Sequence, residues 1–121
     1  MNLNPPDDNE HRFWEHAASL LDRPGATRST MMGLPCLRIN GAFFASYDRR
    51  TGDLLVKLPG PVVAELVTDG HARPFSPAGR RFREWAAITP DSEHRWPAFL
   101  DDAFEHVATQ PTPAAKPRNR R

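Results

Sequence analysis

One cysteine, Cys36, is present, so no internal disulfide can form, and a secreted scaffold stapled by disulfides is excluded. No apolar run approaches the roughly 20 residues that a bilayer-spanning helix needs. The amino end, Met1-Asn2-Leu3-Asn4-Pro5-Pro6, has neither the basic flank nor the apolar stretch of a secretion signal. Together these absences predict a cytoplasmic chain with no membrane partner. Also missing are a phosphate-cradling glycine loop, a Cys-x-x-Cys pair and a His-Glu-x-x-His helix, the common nucleotide and zinc signatures. The expectation is a protein with no cofactor and no metal.

At 121 residues the chain fits one domain, able to bury roughly 65% of the surface its unfolded form exposes. Acid is absent from one place, the tail 109–121, which holds Lys116, Arg118, Arg120 and Arg121 beside Pro111, Pro113 and Pro117. Such a composition cannot build a core, so the tail is expected to be disordered, as a solubilising terminus or a polyanion-binding arm. Without those four cations the body keeps 12 basic residues against 15 acidic ones. A mildly acidic body does not point to a phosphate-binding surface.

What is present is a succession of short apolar runs broken by turn residues. Asn40-Gly41 is the strongest of these signals, because both residues tolerate the positive φ of a tight hairpin. A second turn falls at Asp48-Arg49-Arg50-Thr51-Gly52-Asp53, and three consecutive antiparallel strands follow between Thr30 and Leu58. Before them Phe13, Trp14, Ala17, Leu20 and Leu21 repeat at helical spacing, ended by Arg23-Pro24-Gly25. After them Gly60-Pro61 opens a helix with a Val62, Val63, Leu66, Val67 stripe, closed by Gly70. Two strands between His71 and Ile88 come next, the first restricted to an edge by Pro74 and Pro77. A last helix carries Trp96, Phe99, Leu100, Ala103, Phe104 and Val107. The expected fold is α+β: a single domain, 1–108, of helix, three strands, helix, two strands, helix, with an antiparallel sheet packed by helices.

Register counted out from Asn40-Gly41 pairs Leu37 with Phe44 and Cys36 with Ala45, and the next turn pairs Tyr47 with Leu54 and Ala45 with Val56. One face then collects Cys36, Phe43, Ala45, Tyr47, Leu54, Val56 and Leu58 as the core. The other collects Leu37, Ile39, Phe44 and Leu55 around Ser46 and Lys57, too apolar to be left in water. Leu37, Ile39, Phe44, Leu55 and Lys57 are therefore a candidate partner surface, covered by the chain's own helix, by a second copy in a homodimer or by another protein. Arg38 sits badly in this register, pointing to the core side beside Phe43, and a β-bulge would move it outward.

Candidates for chemistry are few. His11 and His16 lie five apart on a helix, on different faces. Cys36 reads as a small buried hydrophobe rather than a nucleophile, because its register hides it. Asp101, Asp102, Glu105 and Glu65 fall on solvated helix faces. Arg73, Arg80, Arg81 and Arg83 form the one local concentration of positive charge, and are candidate polyanion contacts or a rim balancing the acidic helices. Phe75 and Phe82, the nearest aromatics, have strand positions that would bury them. Lys57, midstrand, would snorkel, pair with an acid or bind an anion.

The stretch Met31-Met32-Gly33-Leu34-Pro35-Cys36-Leu37-Arg38-Ile39-Asn40-Gly41-Ala42-Phe43-Phe44-Ala45 resembles the opening motif of TfoX N-terminal domains. Leu54 to Pro59, Val63 to Val67, Pro74 to Pro77 and Gly79 to Trp85 continue the resemblance in order, across about residues 12 to 107. The related MmcQ/YjbR group is similar in its opening helix and in Pro24-Gly25-Ala26-Thr27-Arg28. The resemblance implies an α-β-β-β-α-β-β-α fold like that of secretion chaperones, and no established catalytic activity. The competence-regulating role associated with TfoX goes with a second, C-terminal domain that this chain does not contain.

The expected function is a non-enzymatic interaction module acting on an unknown protein partner in a regulatory context. The alternative is a nucleic-acid-associated regulator; an enzyme has no adequate catalytic set.

Overall fold

The computed structural model of the chain describes residues 8–31, 33–76, 79 and 82–110. Arg80, Arg81 and the tail from 111 onward lie outside the described residues. Three α-helices and a six-stranded antiparallel sheet build one α+β unit: α1 (Asp8–Leu21), β1 (Ala26–Met31), β2 (Leu34–Ile39), β3 (Ala42–Asp48), β4 (Asp53–Lys57), α2 (Gly60–Thr68), β5 (Arg73–Phe75), β6 (Phe82–Ile88) and α3 (Trp96–Ala108). The sheet order is β1-β2-β3-β4-β6-β5, so α2 crosses from β4 to the far edge and β6 returns between them. Among the described residues no helix is long and apolar enough to cross a membrane.

Four strands precede α2, where three are expected. Gly33, at φ +81, reverses the chain between Met31 and Leu34, and the additional strand, β1, lies almost wholly before Thr30, where no strand is expected. The Asn40-Gly41 turn forms as the dipeptide dictates, with both residues at positive φ and Ile39 paired with Ala42.

The register of β2 on β3 is the main departure. Arg38 faces Phe43, but Leu37 faces Ala45 and Cys36 faces Ser46, leaving Phe44 as an extra residue in a β-bulge. Because side chains alternate with period two, one inserted residue exchanges the faces of everything beyond it. The β3–β4 half keeps the expected arrangement, Tyr47 opposite Leu54 and Ala45 opposite Val56. In the β2 half Leu37, Ile39 and Phe44 enter the core, while Cys36 and Phe43 pass to the other face. The bulge also answers the Arg38 problem, carrying it off the core side.

All three helices pack into one core cluster with that single sheet face. Phe13, Ala17 and Leu20 come from α1, Val63 from α2, and Phe99, Leu100, Ala103, Phe104 and Val107 from α3, against Leu37, Ala45, Tyr47, Leu54, Val56, Ala86 and Ile88. Leu58 and Ala72 seal the α2 end. The α2 helix closes as its sequence predicts, with Gly70 at φ +81 and the His71 N–H donating to Leu66 O at 2.9 Å. A polar clasp joins α1 to the 3-10 segment Pro90–Arg95, where His16 Nε2 meets Glu93 Oε2.

Candidate functional site

Cross-strand pairing lays out the sheet face away from the helices. One row runs over all six strands: Ser29, Cys36, Ser46, Leu55, Ala87 and Arg73. Its middle members, Cys36, Ser46, Leu55 and Ala87, are buried, yet Cys36, Leu55 and Ala87 stand outside the main core cluster. The Ser46 hydroxyl donates to Pro35 O at 2.8 Å, which satisfies the buried hydroxyl in the middle of this row. Burial pushes the Cys36 thiol above its usual pKa, against the lowering influence of a hydrogen bond with Ser29 and of the Arg38 charge. A neutral thiol suits a packing role rather than nucleophilic chemistry.

A second row on the same face consists of Thr27, Arg38 and Phe43, with Lys57 facing Trp85 further across. Here the side chains are long and half-exposed. The Arg38 guanidinium lies on the Phe43 ring, Cζ 4.3 Å from its centroid, a cation–π contact. Among the described residues Arg38 has no carboxylate partner, and its buried Nε makes no hydrogen bond. Leaving such a donor unpaired costs about 1–3 kcal/mol. Lys57 Nζ is 3.8 Å from Glu84 Oε1, a loose ion pair at the surface.

The opposite end of the face is acidic and self-compensated. Asp48 and Asp53 are paired across the β3–β4 turn, and both are buried. Asp48 Oδ1 accepts from the Arg50 N–H at 2.9 Å and from Arg50 Nε at 3.3 Å, while Asp53 Oδ2 accepts from Arg73 Nη2 at 2.6 Å. They border a cavity of about 270 Å³ floored by Leu55 and Ala87. Among the described residues no three His, Cys, Asp or Glu side chains gather to hold a metal ion.

The residues expected to form the site scatter. Leu37, Ile39 and Phe44 are at most 3% exposed in the single chain, so they cannot be a partner surface, and a homodimer cannot be built by covering Phe44. Leu55 lies on the far face but is buried. Lys57 alone of the five keeps an accessible head. Of the arginine cluster, Arg73 is engaged with Asp53, and Arg83 lines a separate cleft with Gly60, Pro61 and Ala64; Arg80 and Arg81 lie outside the described residues. Phe82 is 37% exposed, against the expectation that its strand position buries it.

The face instead carries two cross-strand pairs, Arg38 with Phe43 and Lys57 with Trp85. No family model, curated protein or solved structure matches this chain. The site is therefore read from its own geometry: a guanidinium stacked on Phe43 and, further across the same face, an ammonium opposite Trp85, groups suited to holding an anion. Sequence alternation contained this face, but only with the bulge placed at Phe44 do Arg38 and Phe43 fall on it.

Proposed function

We propose that this chain is a non-catalytic interaction module that docks an acidic surface of another protein on the sheet face bearing Arg38, Phe43, Lys57 and Trp85, in a regulatory context. The observation that carries this reading is Arg38: a guanidinium held on Phe43 with no acid beside it. The buried Nε stays unsatisfied, and the half-buried guanidinium has its terminal nitrogens to offer an external carboxylate. The helices contribute to the core on the other face, and on this one Arg38, Phe43, Lys57 and Trp85 keep partial exposure. The resemblance to TfoX N-terminal and YjbR-like domains supports the same reading.

The test begins with capture of proteins from native cytosol by the wild-type chain and by Arg38→Gln. A captured protein, purified and titrated back, should lose about tenfold or more in affinity for Arg38→Gln, the value of a charge-assisted hydrogen bond. Equal affinity of both forms would remove the assignment. Retention of single-stranded nucleic acid, with affinity falling steeply in salt, would move the same face to the nucleic-acid reading.

A further inference from the structure

The two edges of the sheet are treated differently. The β5 edge is three residues long and contains Pro74, whose ring removes a backbone donor, so it is blunted against pairing. The β1 edge is six residues long, Ala-Thr-Arg-Ser-Thr-Met, with no proline. The Asn40 N–H donates to Gly25 O at 3.0 Å, which sets the phase of the β1–β2 ladder. Alternation then turns Gly25, Thr27, Ser29 and Met31 toward β2, and Ala26, Arg28 and Thr30 outward. The Ala26 N–H is taken by Arg23 O at 3.2 Å. The N–H and C=O groups of Arg28 and Thr30 remain, in register, at an exposed edge.

Beside that edge lies a cleft of about 380 Å³ bordered by Glu10, Trp14, Arg28, Thr30, Pro35 and Arg49. Its one acid is already engaged: Glu10, buried, accepts from Arg49 Nε at 2.7 Å and Arg49 Nη2 at 3.1 Å. Arg28 is different. Its guanidinium lies 4.1 Å from the Trp14 ring centroid and, among the described residues, has no carboxylate partner.

We infer that β1 is a strand-addition site for an extended peptide carrying an acidic side chain. The peptide backbone would pair with the outward groups of Arg28 and Thr30, and its carboxylate would take the Arg28 guanidinium over Trp14. Charge complementarity selects this occupant over a second copy, because pairing β1 with itself brings two unpaired Arg28 side chains to one edge. The site is separate from the Arg38 face and does not rest on it.

The probe is a short blocked peptide of alternating threonine and valine with one central glutamate, titrated into the full chain while amide exchange is followed by NMR. The expected result is slowed exchange at the Arg28 and Thr30 amides. Affinity should fall about tenfold for the glutamine peptide and for Arg28→Gln. Thr30→Pro removes an outward donor without touching the β2 ladder, and should abolish binding. If Thr30→Pro does not fold, the wild-type exchange pattern and Arg28→Gln decide. No slowing at Arg28 and Thr30, equal binding of the two peptides, or full binding by folded Thr30→Pro would overturn the site. Self-association by sedimentation that Thr30→Pro removes would assign the edge to a second copy instead, also overturning it. None of these results bears on the Arg38 face.

Discussion

Phe44 meets Phe104 edge to face, ring centroids 5.4 Å apart and planes at 87°. The contact joins the one irregular residue of the β2–β3 ladder to the middle of α3, and both side chains belong to the main core. A bulged residue left in water would only weaken pairing. Here the bulge places a full aromatic ring where α3 needs one, and the apolar burial offsets the ladder hydrogen bonding it disrupts.

Phe44→Ala is accordingly expected to cost about 3–5 kcal/mol in urea unfolding, the range for deleting a buried ring. Phe44→Leu should recover more than half of that. A loss under about 1 kcal/mol would mean the ring is not packed on α3 and that the unbulged register is the correct one.

Arg73 pins the short edge strand β5 to β4 through Asp53, across the intervening β6. Asp53 is 3% exposed and its other oxygen, Oδ1, has no partner, so the carboxylate depends on Arg73. Arg73 is itself 56% exposed, which limits what the pair contributes. Arg73→Met should cost about 1–3 kcal/mol, because it strands a buried charge. The double variant with Asp53→Asn should regain part of that in a double-mutant cycle. Strict additivity would show that the two side chains do not interact.

The Cys36 thiol supplies a pH dependence with a defined sign. Its pKa is raised in the folded chain, so the unfolded chain ionises first as pH climbs. The contribution is fully present below the ordinary thiol pKa and is lost as pH rises through it toward the folded value. Between about pH 8 and 10 the wild type should lose stability relative to Cys36→Ala, with no such divergence between pH 6 and 8. Labelling with a thiol reagent at neutral pH should proceed only as fast as the chain opens. Rapid native-state labelling would contradict the burial.

Much of the architecture is legible residue by residue. Phe13, Ala17 and Leu20 announce the buried stripe of α1, and Trp96 through Val107 that of α3, because helical period and burial coincide there. Asn40-Gly41 specifies its turn because few other dipeptides accept two positive φ values. The strand before Gly33 is harder to read: Ala26–Met31 is mostly polar and becomes a strand only by pairing with β2, which no local pattern announces.

The candidate site was far less legible, for a physical reason. Alternation along a strand states which residues share a face, but not where the alternation slips. A slip at Phe44 is settled by whether α3 has room for that ring, information carried some 60 residues downstream at Phe104. Local sequence alone determined the three helices and the Asn40-Gly41 turn. Tertiary packing decided which side of β2 faces inward, and so put Leu37, Ile39 and Phe44 in the core and Arg38 with Phe43 on the opposite face, because burial free energy is gained only when the strand and the helix it meets are both in place.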